Sequence, residues 1–408
     1  MTTTDIAIIG AGPAGAVAAA LLCKSGHRVT ILEQSHFPRF SIGESLLPQC
    51  MEFIEQAGML DAVTAANFQF KNGAAFARNG QSGSFDFSQK FTRGHSNTFQ
   101  VERARFDHII AECAEQAGAD IRYGHKITDV SFTESGSSEL AISSDQGAAY
   151  SLKAKFLLDA SGFGRVLPRL LDLETPSDFP SRKSIFTHIK DNISDESYDR
   201  NKILIVIHPE YKDVWYWLIP FNNGRCSIGV VAKEEFFNAS SLSEDELLKS
   251  AISASPDLCS LLQKAEYDTP VRMIKGYSCN VKSLWGKGYA LLGNAGEFLD
   301  PVFSSGVTIA MKSATLAAPL VSKTLANQTV DWESQYALPL KIGVDTFRSY
   351  VSAWYEGSLQ NIIFSKNHQP KTREMVCSIL AGYAWDTENP FVEKPDRRLK
   401  ALAQICRA

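Results

Sequence analysis

A chain of 408 residues is long enough for two or three lobes and a large core, which excludes a peptide ligand or a disulfide-stapled mini-scaffold. Its 44% hydrophobic and 21% charged residues are those of an ordinary globular protein, not of a disordered or fibrous one. The 41 Lys and Arg against 45 Asp and Glu leave a net charge of -4, so no large positive field offers itself to nucleic acid or anionic lipid.

Residues 5–9, DIAII, read as a short buried strand. The run breaks at glycine and no basic segment precedes it, so no signal peptide is expected. GAGPAG then turns into an alanine-rich helix and HRVTILEQ supplies a second strand, which together make a βαβ opening. Gly10, Gly12 and Gly15 form GxGxxG at the strand-to-helix junction, with Ala14 in the same turn. Glycine permits the tight turn and lets a pyrophosphate approach the helix N-terminus. Glu33 ends the second strand, about twenty residues on, where a carboxylate takes the ribose hydroxyls of an adenosine half. Plain turns and a solvated strand end would explain these residues one by one. Their order and spacing favour a dinucleotide, and the later segments favour FAD over NAD.

Residues 43–66 have helical period, FKNGAAFAR is strand-like, and 103–118 is a helix ending on glycine. Alternating runs at 121–132, 138–143 and 151–158 lead to Asp159 and a glycine turn in LLDASG. Between 184 and 232 the chain is β-rich: SIFTHIK, KILIVIHP, VWYWLIPF and CSIGVVA are predicted strands of an antiparallel, substrate-side sheet, with FNNGR as a hairpin turn. YALLGNAG returns to the nucleotide fold, and from 306 the chain is mostly helical, ending in a basic, exposed tail at 394–408.

The expected architecture is therefore α/β: an FAD-binding Rossmann-like domain of the glutathione-reductase/hydroxylase type with an antiparallel β-sheet substrate domain and C-terminal helices. The core spans 1–170 with a substrate-side insertion at about 68–100, the sheet domain 171–285, the return to the core 286–330 and the helical region 331–408. Eight cysteines show no CxxC pair or metal-ligand spacing, so reduced packing thiols and no metal are expected. The apolar stretches near 305–322 and 375–385 are interrupted by Lys312 or too short for a membrane span, and the chain reads as soluble and cytoplasmic.

Trp215, Trp217, Ile219 and Pro220 form WxWxIP within VWYWLIP, FLDPVFSSG stands at 298–306, and GESLLP at 43–48. With GxGxxG, these motifs cover most of the chain to about residue 320, and by them it resembles the flavin-dependent halogenases of the smaller phenol and pyrrole branch. On a strand, Trp215, Trp217 and Ile219 share one face and make a bulky apolar wall, which would otherwise read as a packed core strand. The resemblance implies that this wall, with Phe303, keeps the organic substrate off the flavin and leaves halide to meet the oxidant. It assigns Ser305 and Gly306 to halide, at a helix N-terminus whose unpaired N–H groups suit an anion. An ordinary Ser N-cap is the bland alternative. Gly306 and Val307 would also touch the flavin ring.

The resemblance further implies that Lys71, in NFQFKNGAAF, is the catalytic lysine that holds hypohalous acid or forms an N-halo adduct; a lone lysine at a strand edge is more often a solvated surface residue. SHFPRFSIGES matches the strap over the flavin, so Arg39, Ile42 and Ser45 are expected at FAD, as is Arg103, although either arginine would serve equally in a surface ion pair. Asp159 and Asn294 fall in the second and third FAD fingerprints. Asn294 departs from the Gly-Asp of many FAD relatives, and Phe303 stands where the free-tryptophan branch has glutamate, which argues against free tryptophan as substrate.

The implied activity is chlorination or bromination of an electron-rich aromatic, free or tethered to a carrier protein, in secondary metabolism. It would use reduced FAD (FADH2) from a separate flavin reductase, O2, and chloride or bromide. Nucleic acid and a membrane span have no place in it. On the same fold an aromatic hydroxylase, a geranylgeranyl-reductase-like oxidoreductase, or a flavoprotein without chemistry stays open. Trp354, Tyr355, Tyr383 and Trp385 fit either a substrate entrance or a helix core.

Overall fold

Strand Thr2–Ile9 is the axis of the first sheet, pairing in parallel with Val29–Glu33 on one side and Ala149–Asp159 on the other. Asp120–Tyr123 extends one flank and Tyr289–Leu291 the other, both parallel, so the late return to the nucleotide sheet is realised. The structure, a computed structural model, describes residues 2–238, 241–366 and 369–407. Alternation along the first strand divides its apolar side chains between two faces. Ile6 and Ile8 pack in the main core, which also holds Ala16 and Ala20 of helix Pro13–Lys24 and Ala314 and Ala317 of helix Ser305–Leu325. Ala7 and Ile9 meet the antiparallel ribbon of His125–Phe132 and Ser138–Ser144. All of Val29–Glu33 is buried, as a parallel strand covered on both faces requires.

The second sheet has the order Arg272–Lys275, Arg182–Lys190, Arg225–Lys233, Trp215–Pro220, Lys202–Ile207, Gly73–Arg78 and Gln81–Asp86. It is antiparallel except that Lys202–Ile207 runs parallel to Gly73–Arg78, a departure from the expected sheet. The reason is the early insertion, which contributes its own hairpin to the sheet edge. FNNGR makes the expected turn, with Phe221 N–H on Arg225 O at 2.8 Å and Gly224 at φ +76°. Tyr216, Leu218, Ile228 and Val230 form a second core with helices Glu244–Ala254 and Pro256–Leu261, while Trp215, Trp217 and Ile219 turn to the main core.

The helical period over 43–66 resolves into two short helices, Gln49–Gln56 and Leu60–Ala65. Pro48 disfavours helix at the residue before it, and Gly58, at φ +75°, ends the first helix. The basic tail is likewise no free tail: helix Pro395–Arg407 buries Leu399 and Ala403, one turn apart. Trp354 and Tyr383 are buried and Tyr355 and Trp385 pack partly buried against the same core, so these aromatics are core residues, Trp354 and Tyr355 on helix Leu338–Glu356 and Tyr383 and Trp385 in the turns that follow helix Pro370–Leu380. Seven cysteines are buried or half-buried free thiols, but Cys259 is exposed. Among the described residues no helix is long and apolar enough to cross a membrane, and no cluster of His, Cys, Asp and Glu is arranged for a metal.

Candidate flavin and halide site

A cavity of about 770 Å³ opens at the C-terminal ends of the parallel strands and reaches the inner face of the second sheet. Gly10, Gly12, Ala14 and Glu33 line one end. Gly10 sits at φ +92°, and a Cβ there would lie 2.8 Å from Ala160 O. Gly15 is off the cavity wall: its Cβ would stand 2.0 Å from Gly10 O, so its task is to let the helix seat against the turn. Glu33 is buried and takes Ala11 N–H on one oxygen and Ser35 N–H on the other, each at 2.9 Å, which fixes the carboxylate beside the glycine loop. Asp159 differs from expectation. Its carboxylate points inward, accepting Ser161 N–H at 2.9 Å and Leu167 N–H at 2.7 Å, and it shapes the turn whose Ala160 and Ser161 reach the cavity.

The two arginines prove to be both cavity residues and ion-pair residues. Arg103 bonds both oxygens of the fully buried Asp107, at 2.8 and 2.9 Å, and Arg39 bonds the same carboxylate at 3.0 Å. Arg39 also stands 4.0 Å from Glu33, so the two guanidinium groups are balanced by carboxylates, and they offer a pyrophosphate fixed N–H donors on the wall that includes Arg39 and Arg103. Arg103 also donates to Ile42 O, so it pins the strap. Ile42 and Ser45 line the cavity, and the neighbouring Glu44 is held at 2.5 Å by His188 of the second sheet. That anchor was invisible in the sequence, because 144 residues separate the partners.

Opposite stands the aromatic wall: Trp215, Trp217 and Ile219 all face the cavity. Trp217 lies against Gly229 of the adjacent strand, where a Cβ would come within 2.3 Å of the ring, and its indole N–H donates to Ser227 Oγ at 3.0 Å. Next to the wall, Asp300 caps the 3-10 turn Pro301–Phe303 through Val302 N–H at 3.1 Å. Ser304 follows in the left-handed region, φ +57°, and helix Ser305–Leu325 begins.

Ser304, Gly306 and Val307 reach the cavity, whereas Ser305 is buried off its wall, so the serine presented there is Ser304. The left-handed residue sets which of two adjacent serines turns outward. Phe303 is off the wall as well, packed edge-on against Tyr350 and Trp354 at centroid distances of 6.3 and 6.0 Å. Asn294 lines the cavity, and its Oδ1 is a buried acceptor without a hydrogen-bond partner among the described residues. Phe298, the first residue of FLDPVFSSG, also lines the cavity, as do His125–Thr128 and Phe163, which no motif announced.

Lys71 is not a surface lysine, nor does it line this cavity. It ends strand Gln69–Lys71, paired with Thr98–Gln100, and is 1% exposed. Gln100 also bridges to Ser45 of the strap, so the strap runs beside this ribbon. The Lys71 amine donates to Leu46 O at 2.7 Å and lies 5.5 Å from the Phe87 ring centroid. Burial lowers its pKa to about 7, opposed by the nearby Cys50 thiol. Among the described residues no carboxylate forms an ion pair with it. An unpaired buried lysine is held near neutrality only at a stability cost, which marks a candidate catalytic amine.

The glycine cradle, the paired arginines and the orphaned Asn294 acceptor fit an FAD, and the chain proves to be a flavoprotein. Residues 3–274 match the FAD binding domain family, and the chain belongs to it. It is 42% identical to a flavoprotein/dehydrogenase from Cytophaga hutchinsonii, with a TM-score of 0.96 over 99% of both chains. Within this class it belongs to the flavin-dependent halogenases. It is 28% identical to 1H-pyrrole-2-carbonyl-[peptidyl-carrier protein] chlorinase from Pseudomonas fluorescens, over 98% of this chain and 93% of that enzyme. With the flavin-dependent brominase Bmp2 it shares 25% identity and a TM-score of 0.84 over the whole of both chains.

Proposed function

We propose that this enzyme replaces a ring hydrogen of an electron-rich aromatic, a pyrrole or phenol carried on a carrier protein, by chloride or bromide. The reaction balances as ArH + X⁻ + FADH2 + O2 + H⁺ giving ArX + FAD + two H2O, with FADH2 delivered by a separate flavin reductase. Bound FAD supplies the two-electron chemistry with oxygen by which the halide is oxidised.

Gly10, Gly12, Ala14 and Glu33 would hold its adenosine and pyrophosphate half, with Arg39 and Arg103 as N–H donors. Asn294, Gly306 and Val307 would hold the other end. The first N–H groups of helix Ser305–Leu325, behind Ser304, favour a halide by their positive potential. Trp215 and Trp217 exclude the ring substrate and water. Lys71, whose amine is half neutral near pH 7, would donate a hydrogen bond to hypohalous acid or take the halogen on nitrogen.

The observation that carries this reading is the lone buried Lys71 beside a strap that also lines the FAD cavity. Support for the carrier-bound ring comes from the pyrrole-carrier chlorinase, which this chain matches nearly end to end. The test is mass spectrometry of product formed with flavin reductase, NADH, O2 and bromide, on free and carrier-bound pyrroles and phenols, for wild type and Lys71→Ala. A bromine isotope pattern present in wild type and lost in the variant supports the reading. Unchanged halogenation by Lys71→Ala removes the lysine from the mechanism. The description of the 42%-identical Cytophaga protein favours a second reading, a flavin oxidoreductase that needs no halide, and halide-independent product would establish it.

A further inference from the structure

Trp215 and the Ser304–Gly306 turn both face the cavity, but they come from chain segments some ninety residues apart, and a third segment joins them. A buried indole N–H is a donor only and needs an acceptor, whereas a phenol hydroxyl both accepts and donates. Tyr355, near the end of helix Leu338–Glu356, takes both parts. Its oxygen accepts from Trp215 Nε1 at 3.0 Å and its O–H donates to Asp300 Oδ2 at 2.8 Å. The other oxygen of Asp300 accepts from Val302 N–H at 3.1 Å and caps the turn that delivers Ser304 in its left-handed conformation.

The links converge on the carboxylate: Trp215 donates to Tyr355 and Tyr355 to Asp300 from one side, and the Val302 N–H of the turn donates to Asp300 from the other. The ring of Tyr355 is fixed from above by the Arg182 guanidinium, 3.4 Å from its centroid. Neither Tyr355 nor Asp300 lines the cavity, so neither is placed to touch substrate or cofactor.

We propose that Tyr355 is a positioning residue that locks the Trp215 wall to the Ser304–Gly306 turn, so that the halide site and the barrier against the ring substrate are set by one hydroxyl. This rests on the reading of that turn as the halide site. Removal of the hydroxyl leaves the Trp215 donor and one Asp300 oxygen without partners while the ring stays under Arg182.

The test is Tyr355→Phe in the FAD-loaded protein. Bromide binding is read without turnover, by bromide NMR line broadening, and the halide KM and kcat are read separately. The expected result is a bromide Kd and KM raised about tenfold, the scale of one lost hydrogen bond, with FAD affinity unchanged within about twofold. Tryptophan emission should shift in Tyr355→Phe, and the shift should vanish in a Trp215→Phe background. Asp300→Asn breaks the same series at its other end and should reproduce the bromide defect, which keeps the test open if one variant folds poorly.

Wild-type bromide affinity in both variants, or no bromide binding to the wild-type protein, overturns the proposal. A loss of FAD binding equal to the loss of bromide binding also overturns it, because the hydroxyl would then be a general fold contact. If wild type forms no halogenated product but Tyr355→Phe still weakens bromide binding, the coupling stands and the halogenation reading falls. If wild type halogenates and Tyr355→Phe binds bromide normally, the coupling falls alone.

Discussion

Lys71 allows a prediction that turns its burial into a measurable pH dependence. Its pKa falls from 10.5 to about 7 on burial, and the residue is 1% exposed, so little solvent screens the effect. At 1.36 kcal/mol per pKa unit, keeping the charged form inside opposes folding by about 5 kcal/mol. Below pH 7 the lysine is protonated in both native and unfolded states, and the whole penalty is present. Between pH 7 and 10.5 the native state has released its proton while the unfolded state still holds one, so stability rises with pH by about 1.4 kcal/mol per unit. Above 10.5 the penalty is gone.

Lys71→Met keeps the apolar stem and removes the titration. It leaves Leu46 O without its donor, a loss of about 1 kcal/mol that does not depend on pH. Urea unfolding of wild type and variant at pH 6, 7, 8 and 9 should therefore show the variant the more stable at pH 6. Its advantage should shrink by about 2.3 kcal/mol between pH 7 and 9, the slope at pH 7 being half its full value. A difference that stays constant across this range would refute the buried neutral amine. The same variant should lose halogenation by about 10²- to 10⁴-fold, the usual worth of a positioned acid–base group.

Asn294→Leu removes an acceptor that already lacks a partner among the described residues, so the thermal midpoint of the apoprotein should not fall; FAD affinity, read by flavin fluorescence titration, should drop about tenfold. Gly229→Val drives a side chain into the Trp217 ring, and should destabilise by about 1–3 kcal/mol or displace the indole into the cavity. Denaturant midpoints and FAD affinity would fall together, and a variant with both unchanged would contradict the close approach. Asp107→Ala leaves Arg103 buried without its carboxylate and should destabilise by about 3–5 kcal/mol, measured by denaturant unfolding. A surface-like change under 1 kcal/mol would mean that the Arg39–Asp107–Arg103 cluster opens to water.

What the chain determined by itself was whatever depends on short spacing. GxGxxG with Glu33 announced the nucleotide end, because a strand, a tight turn and a helix of fixed length leave the glycines and the carboxylate few places to go. Two-residue alternation put Trp215, Trp217 and Ile219 on one wall. Period alone misjudged 43–66, where Pro48 and Gly58 override it, and the tail, where Leu399 and Ala403 find a surface to cover.

Only the tertiary structure decided matters that turn on distant neighbours or on one backbone angle. It shows Ser304 rather than Ser305 at the cavity, because of the two serines it is residue 304 that adopts the left-handed conformation. It joins Arg39 and Arg103 through Asp107, and it turns Asp159 away from the site. It buries Lys71 under the strap with no counter-charge among the described residues, which sets its pKa near 7. A lysine's solvation is a property of everything packed around it, and the segments that surround Lys71 come together only in the folded chain.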